Sequence, residues 1–203
     1  MYIPELYKNE NREEIEYFIH QNGFAILVNQ TQGKLWATHT PLLLETREDG
    51  KLILTGHISK ANPQASSFND NDEVLAVFSG AHSYISSSWY DHENVPTWNY
   101  LAVHVYGKVR VYNHEEALQF LKKLVDKYEV KSENPVRVEN LSEKTMQEAR
   151  GIVAFEIEIT NIEAQKKLSQ NRDDKNYRNI ITELEKTKEN QAIAIAEAMK
   201  KNR

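Results

Sequence analysis

No cysteine occurs among the 203 residues. That excludes disulfides, thiolate nucleophiles and cysteine-ligated zinc or iron–sulfur centres, and it fits a reducing, cytoplasmic setting. Long apolar runs are also lacking. None approaches the roughly 20 residues that a membrane-spanning helix needs, so no membrane partner is expected. The first ten residues, "MYIPELYKNE", have no basic stretch followed by an apolar one, so no secretory leader is expected. Positive charge is short as well: 25 Lys and Arg against 30 Asp and Glu give a formal charge of −5. A DNA reader carries a basic face, and this bulk field repels phosphate. Direct DNA binding would need a local basic patch, for which Lys122–Lys131 and Lys167–Arg172 are the only candidates. No helix–turn–helix is readable.

Familiar catalytic motifs are missing too. Neither glycine-rich phosphate loop is present, nor a G-x-S-x-G elbow, nor H-E-x-x-H. The 7 histidines are scattered singly. Their spacing does not suit a metal, so no metal site is expected, and no catalytic residue is assigned.

What is there reads as α+β. Asn11 and Glu14 pair as a helix cap ahead of Ile15, Phe18 and Ile19, and Gly23 ends that helix. "FAILVNQ", "LWATHTPLLLE", "KLILTGHIS", "EVLAVFSG", "WNYLAVHVYGKVRVYN" and "IVAFEIEIT" read as strands. "TQGK" and Arg47–Gly50 are hairpin turns, and Gly107 is a place for the fifth strand to bend. Asn113 and Glu116 cap a helix running to about Glu129, with Leu118, Leu121, Leu124 and Val125 on one stripe. "SEKTMQEAR" is a short helix ended by Gly151. A helical tail begins near Asn171, with Ile180, Ile181 and Leu184 on one side. The division expected is 1–170 for the main domain and 171–203 for a C-terminal extension. The last stretch has a narrow apolar face and is expected to fray or to dock on a partner. Six or seven strands joined by short turns predict an antiparallel sheet closing toward a barrel.

Three segments stand out chemically. In "ATHTP", Thr38 and Thr40 share one strand face and His39 takes the other. "TGHISKANPQ" gathers Thr55, Gly56, His57, Ser59, Lys60 and Asn62 at the end of an apolar strand. Hydroxyls and an ammonium placed so can hold a phosphate; the same residues also make an ordinary polar turn opened by Asn62-Pro63. The stretch "SYISSSWYDHENVPTWNY" spends two tryptophans and three tyrosines between Ser83 and Tyr100. Trp89, Tyr90, Trp98 and Tyr100 serve either as core and interface aromatics or as walls for a planar heterocycle, with Ser86, Ser87 and Asn99 as polar orienters.

Read in order, "MYIP", "ATHTPLLL", "GHISKANPQ", "GAHSYISSSWY", "VPTWNY", "VHVYGKV", "GIVAFEIEI" and "KLSQNR" resemble the PaiB-type family of FMN-binding negative transcriptional regulators over about Met1 to Leu184. The resemblance implies a split β-barrel like that of pyridoxamine-phosphate oxidases and flavin reductases, forming a homodimer with FMN at or near the subunit interface. It implies cofactor contacts from Thr38, His39, Thr55, Gly56, His57, Ser59, Lys60, Asn62, Trp98 and Asn99, with Lys60 as the phosphate cation and "KLSQN" as a further polar signature. It also implies repression of degradative-enzyme (protease) production and sporulation. The other function it leaves open is an FMN-dependent oxidoreductase, with His39, His57 and Tyr84 beside the flavin.

Overall fold

The computed structural model describes residues 1–68 and 72–203. Six strands form the sheet: β1 (Phe24–Thr31), β2 (Lys34–Thr46), β3 (Leu52–Ser59), β4 (Glu73–Ile85), β5 (Thr97–Val111) and β6 (Ile152–Lys167). Their order is β1-β2-β3-β6-β5-β4, and β4 pairs back onto β1 through Leu27 and Ala76, closing the ring. The pairings recorded for β1–β2, β1–β4, β2–β3 and β3–β6 are antiparallel. The fold is the antiparallel barrel that the strand count predicted.

Local chemistry explains the turns. Gln32 and Gly33 join β1 to β2 with φ of 51° and 76°, the pair of positive angles that a two-residue hairpin requires. Between β2 and β3, Gly50 takes φ 82°, and the Arg47 carbonyl accepts its N–H at 2.8 Å. Gly107 lies so close to β6 that a Cβ there would sit 2.5 Å from the Glu158 carbonyl oxygen. A side chain is excluded at that point by backbone. Two strands are longer than their alternation predicts: β4 runs on through Ser83 to Ile85, and β6 runs on to Lys167.

The helices are α1 (Arg12–Gln21), α2 (His114–Glu129), α3 (Glu143–Met146), α4 (Asp174–Thr187) and α5 (Asn190–Lys201). The expected capping box of α2 is present: Asn113 Oδ1 accepts the Glu116 N–H at 3.0 Å, and Glu116 Oε2 accepts the Asn113 N–H at 2.9 Å. Its buried stripe is centred on Phe120 and Leu124, which pack on Leu43 and Ala154 of the sheet. Leu118 is only partly buried, so the stripe lies further round the helix than the leucine spacing suggested.

The chain divides into two compact units. Met1–Phe18, Phe78–His104 and Glu163–Arg203 form the first; Ile19–Val77 and Val105–Ile162 form the second. The final helix corrects the expectation of a tail that frays or docks on a partner. Ala192, Ile195, Ala196 and Met199 of α5 are fully buried with Tyr177, Ile180 and Leu184 of α4, Leu168, and Ile85 and Tyr90, in the first unit's core. The narrow apolar face is filled by the chain's own α4, whose apolar side pairs with it.

Candidate functional site

The segment after β3 is a loop built on a rigid polar floor within the second unit. Asn62 caps the short 3-10 turn Pro63–Ser67, its Oδ1 accepting the Gln64 N–H at 3.0 Å. Its Nδ2 donates to Thr38 Oγ1 at 2.7 Å, and the Thr38 hydroxyl donates to Gln64 Oε1. Gln64 is wholly buried and donates through Nε2 to Asn29 Oδ1 at 2.8 Å and to the Leu27 carbonyl at 3.2 Å. Asn29 in turn donates to Ser67 Oγ at 3.1 Å, and the Ser67 and Thr31 hydroxyls bond at 2.7 Å. A buried polar network holds a unique geometry only when its members are satisfied, and here the amides and hydroxyls pair among themselves. Thr38 and Asn62, both expected at the site, therefore meet as one unit with Gln64. Asn29, Thr31, Gln64 and Ser67 were not singled out by sequence reasoning; their side chains gain meaning only from pairing across β1, β2 and the turn.

On this floor sit Ser59, Lys60 and Ala61, all exposed. The loop's backbone donors are already used: Lys60 N–H bonds the Gly151 carbonyl at 2.9 Å, Asn62 N–H the Ser59 carbonyl at 3.0 Å, and Ala61 N–H the Ser59 Oγ at 3.2 Å. What the loop offers a ligand is thus the Lys60 ammonium and the Ser59 hydroxyl proton. Among the described residues no carboxylate pairs with Lys60. A dianion would be met there by one point charge and one O–H donor.

The other expected residues of this unit lie elsewhere on the strands. Thr55 is buried and donates to Glu45 Oε2 at 2.9 Å. Gly56 faces the interior, with Leu42 and Phe155 in the space a Cβ would need. His57 is half-buried against Phe120 of α2, ring centroids 5.8 Å apart, and its buried Nδ1 has no hydrogen-bond partner among the described residues. Burial lowers its pKa, so it is neutral at neutral pH. His39 points the opposite way from Thr38 and Thr40, as alternation predicted; it is exposed and stacks on Phe24 at 5.9 Å.

Trp98, Asn99 and Tyr84 belong to the first unit. Trp98 is 52% exposed and meets the rings of His82 and Tyr84, each at 6.0 Å. Asn99 is buried, its Oδ1 accepting from Ser169 Oγ at 3.1 Å and its Nδ2 directed to Met199 Sδ at 3.6 Å. Both ends of its amide are committed to core groups. The aromatic stretch thus splits its labour: Trp89 and Tyr90 pack on the core, Tyr100 donates to Gln165 Oε1 at 3.0 Å, and Trp98 and Tyr84 remain outside.

Comparison with known proteins agrees with this architecture. Residues 1–161 match the family model described as "Putative FMN-binding domain". The chain is 44% identical over 98% of its length, and 96% of the relative's, to "Protease synthase and sporulation protein PAI 2" of Bacillus subtilis. Among solved structures it resembles an FAD and heme binding protein from Mycobacterium smegmatis (TM-score 0.60, 16% identity, 79% of this chain and 73% of that one). It also resembles the flavocytochrome Anf3 from Azotobacter vinelandii (TM-score 0.62, 15% identity, 85% and 75%). At such identities the two structures bear on the fold alone.

Proposed function

We infer the function of this chain from its family: it belongs to the PaiB-type proteins, whose domain is described as FMN-binding. The reading is an FMN-binding negative regulator of protease production and sporulation, working as a homodimer in the cytoplasm. The observation that carries it is the 44% identity, spread over 98% of the chain, to a protein named for protease synthesis and sporulation. Bound flavin would supply a redox-active ring and a phosphate dianion. The residues present fit the phosphate: Lys60 is unpaired by any carboxylate among the described residues, and Ser59 stands beside it on the Asn62–Thr38–Gln64 floor. The exposed rings of Trp98 and Tyr84 supply apolar surface of the kind that subunit contacts bury.

Direct operator binding has little support. Lys122 and Lys123 of α2 are paired with Glu139 at 3.0 Å and Glu45 at 2.7 Å, which neutralises one candidate basic patch. Regulation through a protein partner or through flavin occupancy fits the acidic chain better. Titration of FMN into the purified protein tests the cofactor. A shift of the flavin absorbance bands with quenched fluorescence is expected, and an unperturbed spectrum at tens of micromolar protein would sink the reading. Deletion of the gene in its host, with extracellular protease assayed, tests regulation: protease output should rise.

A further inference from the structure

Lys167 closes β6, and Arg172 stands just ahead of α4 in the same compact unit. Lys167 Nζ donates to Thr97 Oγ1 at 2.6 Å. The Arg172 guanidinium lies over the Tyr90 ring, 4.9 Å from its centroid. Neither cation has a carboxylate partner among the described residues. The acids adjacent in the chain are engaged elsewhere: Asp91 with Lys175 at 2.7 Å, Asp174 with Arg203 at 2.7 Å, and Asp173 with Asn176 and the first N–H groups of α4. Among the described residues, the buried Arg172 Nε and Tyr90 hydroxyl find no hydrogen-bond partner, nor does Nδ2 of Asn94 in the loop that joins Tyr90 to Thr97. Tyr90 is only 8% exposed. Burial, and then repulsion from Arg172, lower the pKa of Lys167.

Such an arrangement is costly for a protein's interior edge. Two like charges drawn out of water repel, and buried donors without acceptors forfeit their hydration. An oxyanion between them removes both penalties at once. We propose that Lys167, Arg172, Tyr90 and Thr97 form an anion site that takes a phosphate group. A tetrahedral dianion has acceptors enough for an ammonium, a guanidinium edge and a phenol together. Two sources share its chemistry: free inorganic phosphate, with the FMN phosphate left to Ser59 and Lys60, and the phosphate monoester of FMN, which would then be held here in place of that grip.

Calorimetric titration of inorganic phosphate at fixed ionic strength reads the site directly, using the full chain and the variants Lys167→Met, Arg172→Met and Tyr90→Phe. Phosphate affinity should fall about tenfold or more in the two cation variants and several-fold in Tyr90→Phe. Tyr90→Phe keeps the proposal testable should a cation variant fold poorly, because its hydroxyl bonds no group among the described residues and phenylalanine keeps the ring that packs there. Parallel titrations with FMN and riboflavin identify the source. Loss of FMN affinity in Lys167→Met, with riboflavin unchanged, assigns the flavin's phosphate; loss of inorganic phosphate affinity alone assigns free phosphate. Equal affinities for both phosphate and FMN across wild type and all three variants would overturn the proposal. That failure differs from failure of the flavin reading, in which wild type itself leaves the FMN spectrum unchanged.

Discussion

Lys60 and Glu156 illustrate two opposite fates of a charged side chain in this protein. Lys60 is exposed, and among the described residues no acid pairs with it. Glu156 is 2% exposed and fully engaged: Arg47 Nη1 donates to it at 2.9 Å, Arg110 Nε at 3.0 Å and the Tyr112 hydroxyl at 3.2 Å. If Lys60 makes a charge-assisted contact with the FMN phosphate, Lys60→Ala should weaken FMN binding by about 1.5–3 kcal/mol, one to two orders of magnitude in affinity. Riboflavin should bind both proteins alike; equal FMN affinities would remove Lys60 from the grip. For Glu156, burial pushes its pKa up, but Arg110, Arg47 and Tyr112 outweigh it and hold the carboxyl below its ordinary value. A carboxylate with a depressed folded pKa stabilises the fold above its unfolded value of about 4.3, and that contribution is lost as pH falls through the folded one. Glu156→Gln should therefore cost about 2–3 kcal/mol in urea unfolding at pH 7. The gap to wild type should narrow below about pH 4. A gap that stays constant with pH would mean that the charge is not what stabilises.

At the scale of elements, the closing pair α4 and α5 matters most. Asp173 caps α4 through the N–H groups of Lys175 and Asn176, both at 3.0 Å, and the Tyr177 hydroxyl ties α4 to the Met199 carbonyl of α5 at 2.7 Å. Ile195 is fully buried between them. Ile195→Ala should cost about 2–5 kcal/mol, since a cavity adds to the lost transfer energy. A loss under about 1 kcal/mol in denaturant titration would show α5 to be loosely attached. Gly107 makes a second prediction. Its Cβ would strike the β6 backbone, which cannot turn aside as a flexible side chain can. Gly107→Ala should lower the melting temperature markedly, whereas alanine at Gly151, with open space around it, should change it little.

For the molecule as a whole, charge and exposed aromatic surface set the association behaviour. An acidic chain that leaves Trp98 and Tyr84 outside its own core is expected to bury them against a second copy. Sedimentation velocity at micromolar concentration should show a dimer, and Trp98→Asp should shift it toward monomer. A monomer in the wild type would count against the homodimer. Promoter DNA should be bound weakly or not at all at physiological salt, because condensed counterions give little to a protein without a basic face. Tight, sequence-dependent retardation would reverse this reading and point to Lys127 and Lys131.

Strand and helix existence was legible in the chain because both depend on short-range periodicity. The alternation in "IVAFEIEIT" and the Asn113–Glu116 pair needed no distant partner to be read, and the matching turns followed from Gly33 and Gly50. The ordered motifs carried the family for the same reason. Roles were harder to read, because burial is a property of pairs far apart in sequence. Asn99 read as a polar orienter, and only the fold shows that Ser169 and Met199 meet its amide. Gln64, an unremarkable turn residue, became a buried keystone once Asn29 and Thr38 reached it from other strands. The narrow apolar face of the last helix had no visible partner in sequence until Ile180 and Leu184 of α4 joined its Ile195 in one core. A side chain's chemistry is local, but whether it meets water, core or a ligand is settled by what the remaining chain brings beside it.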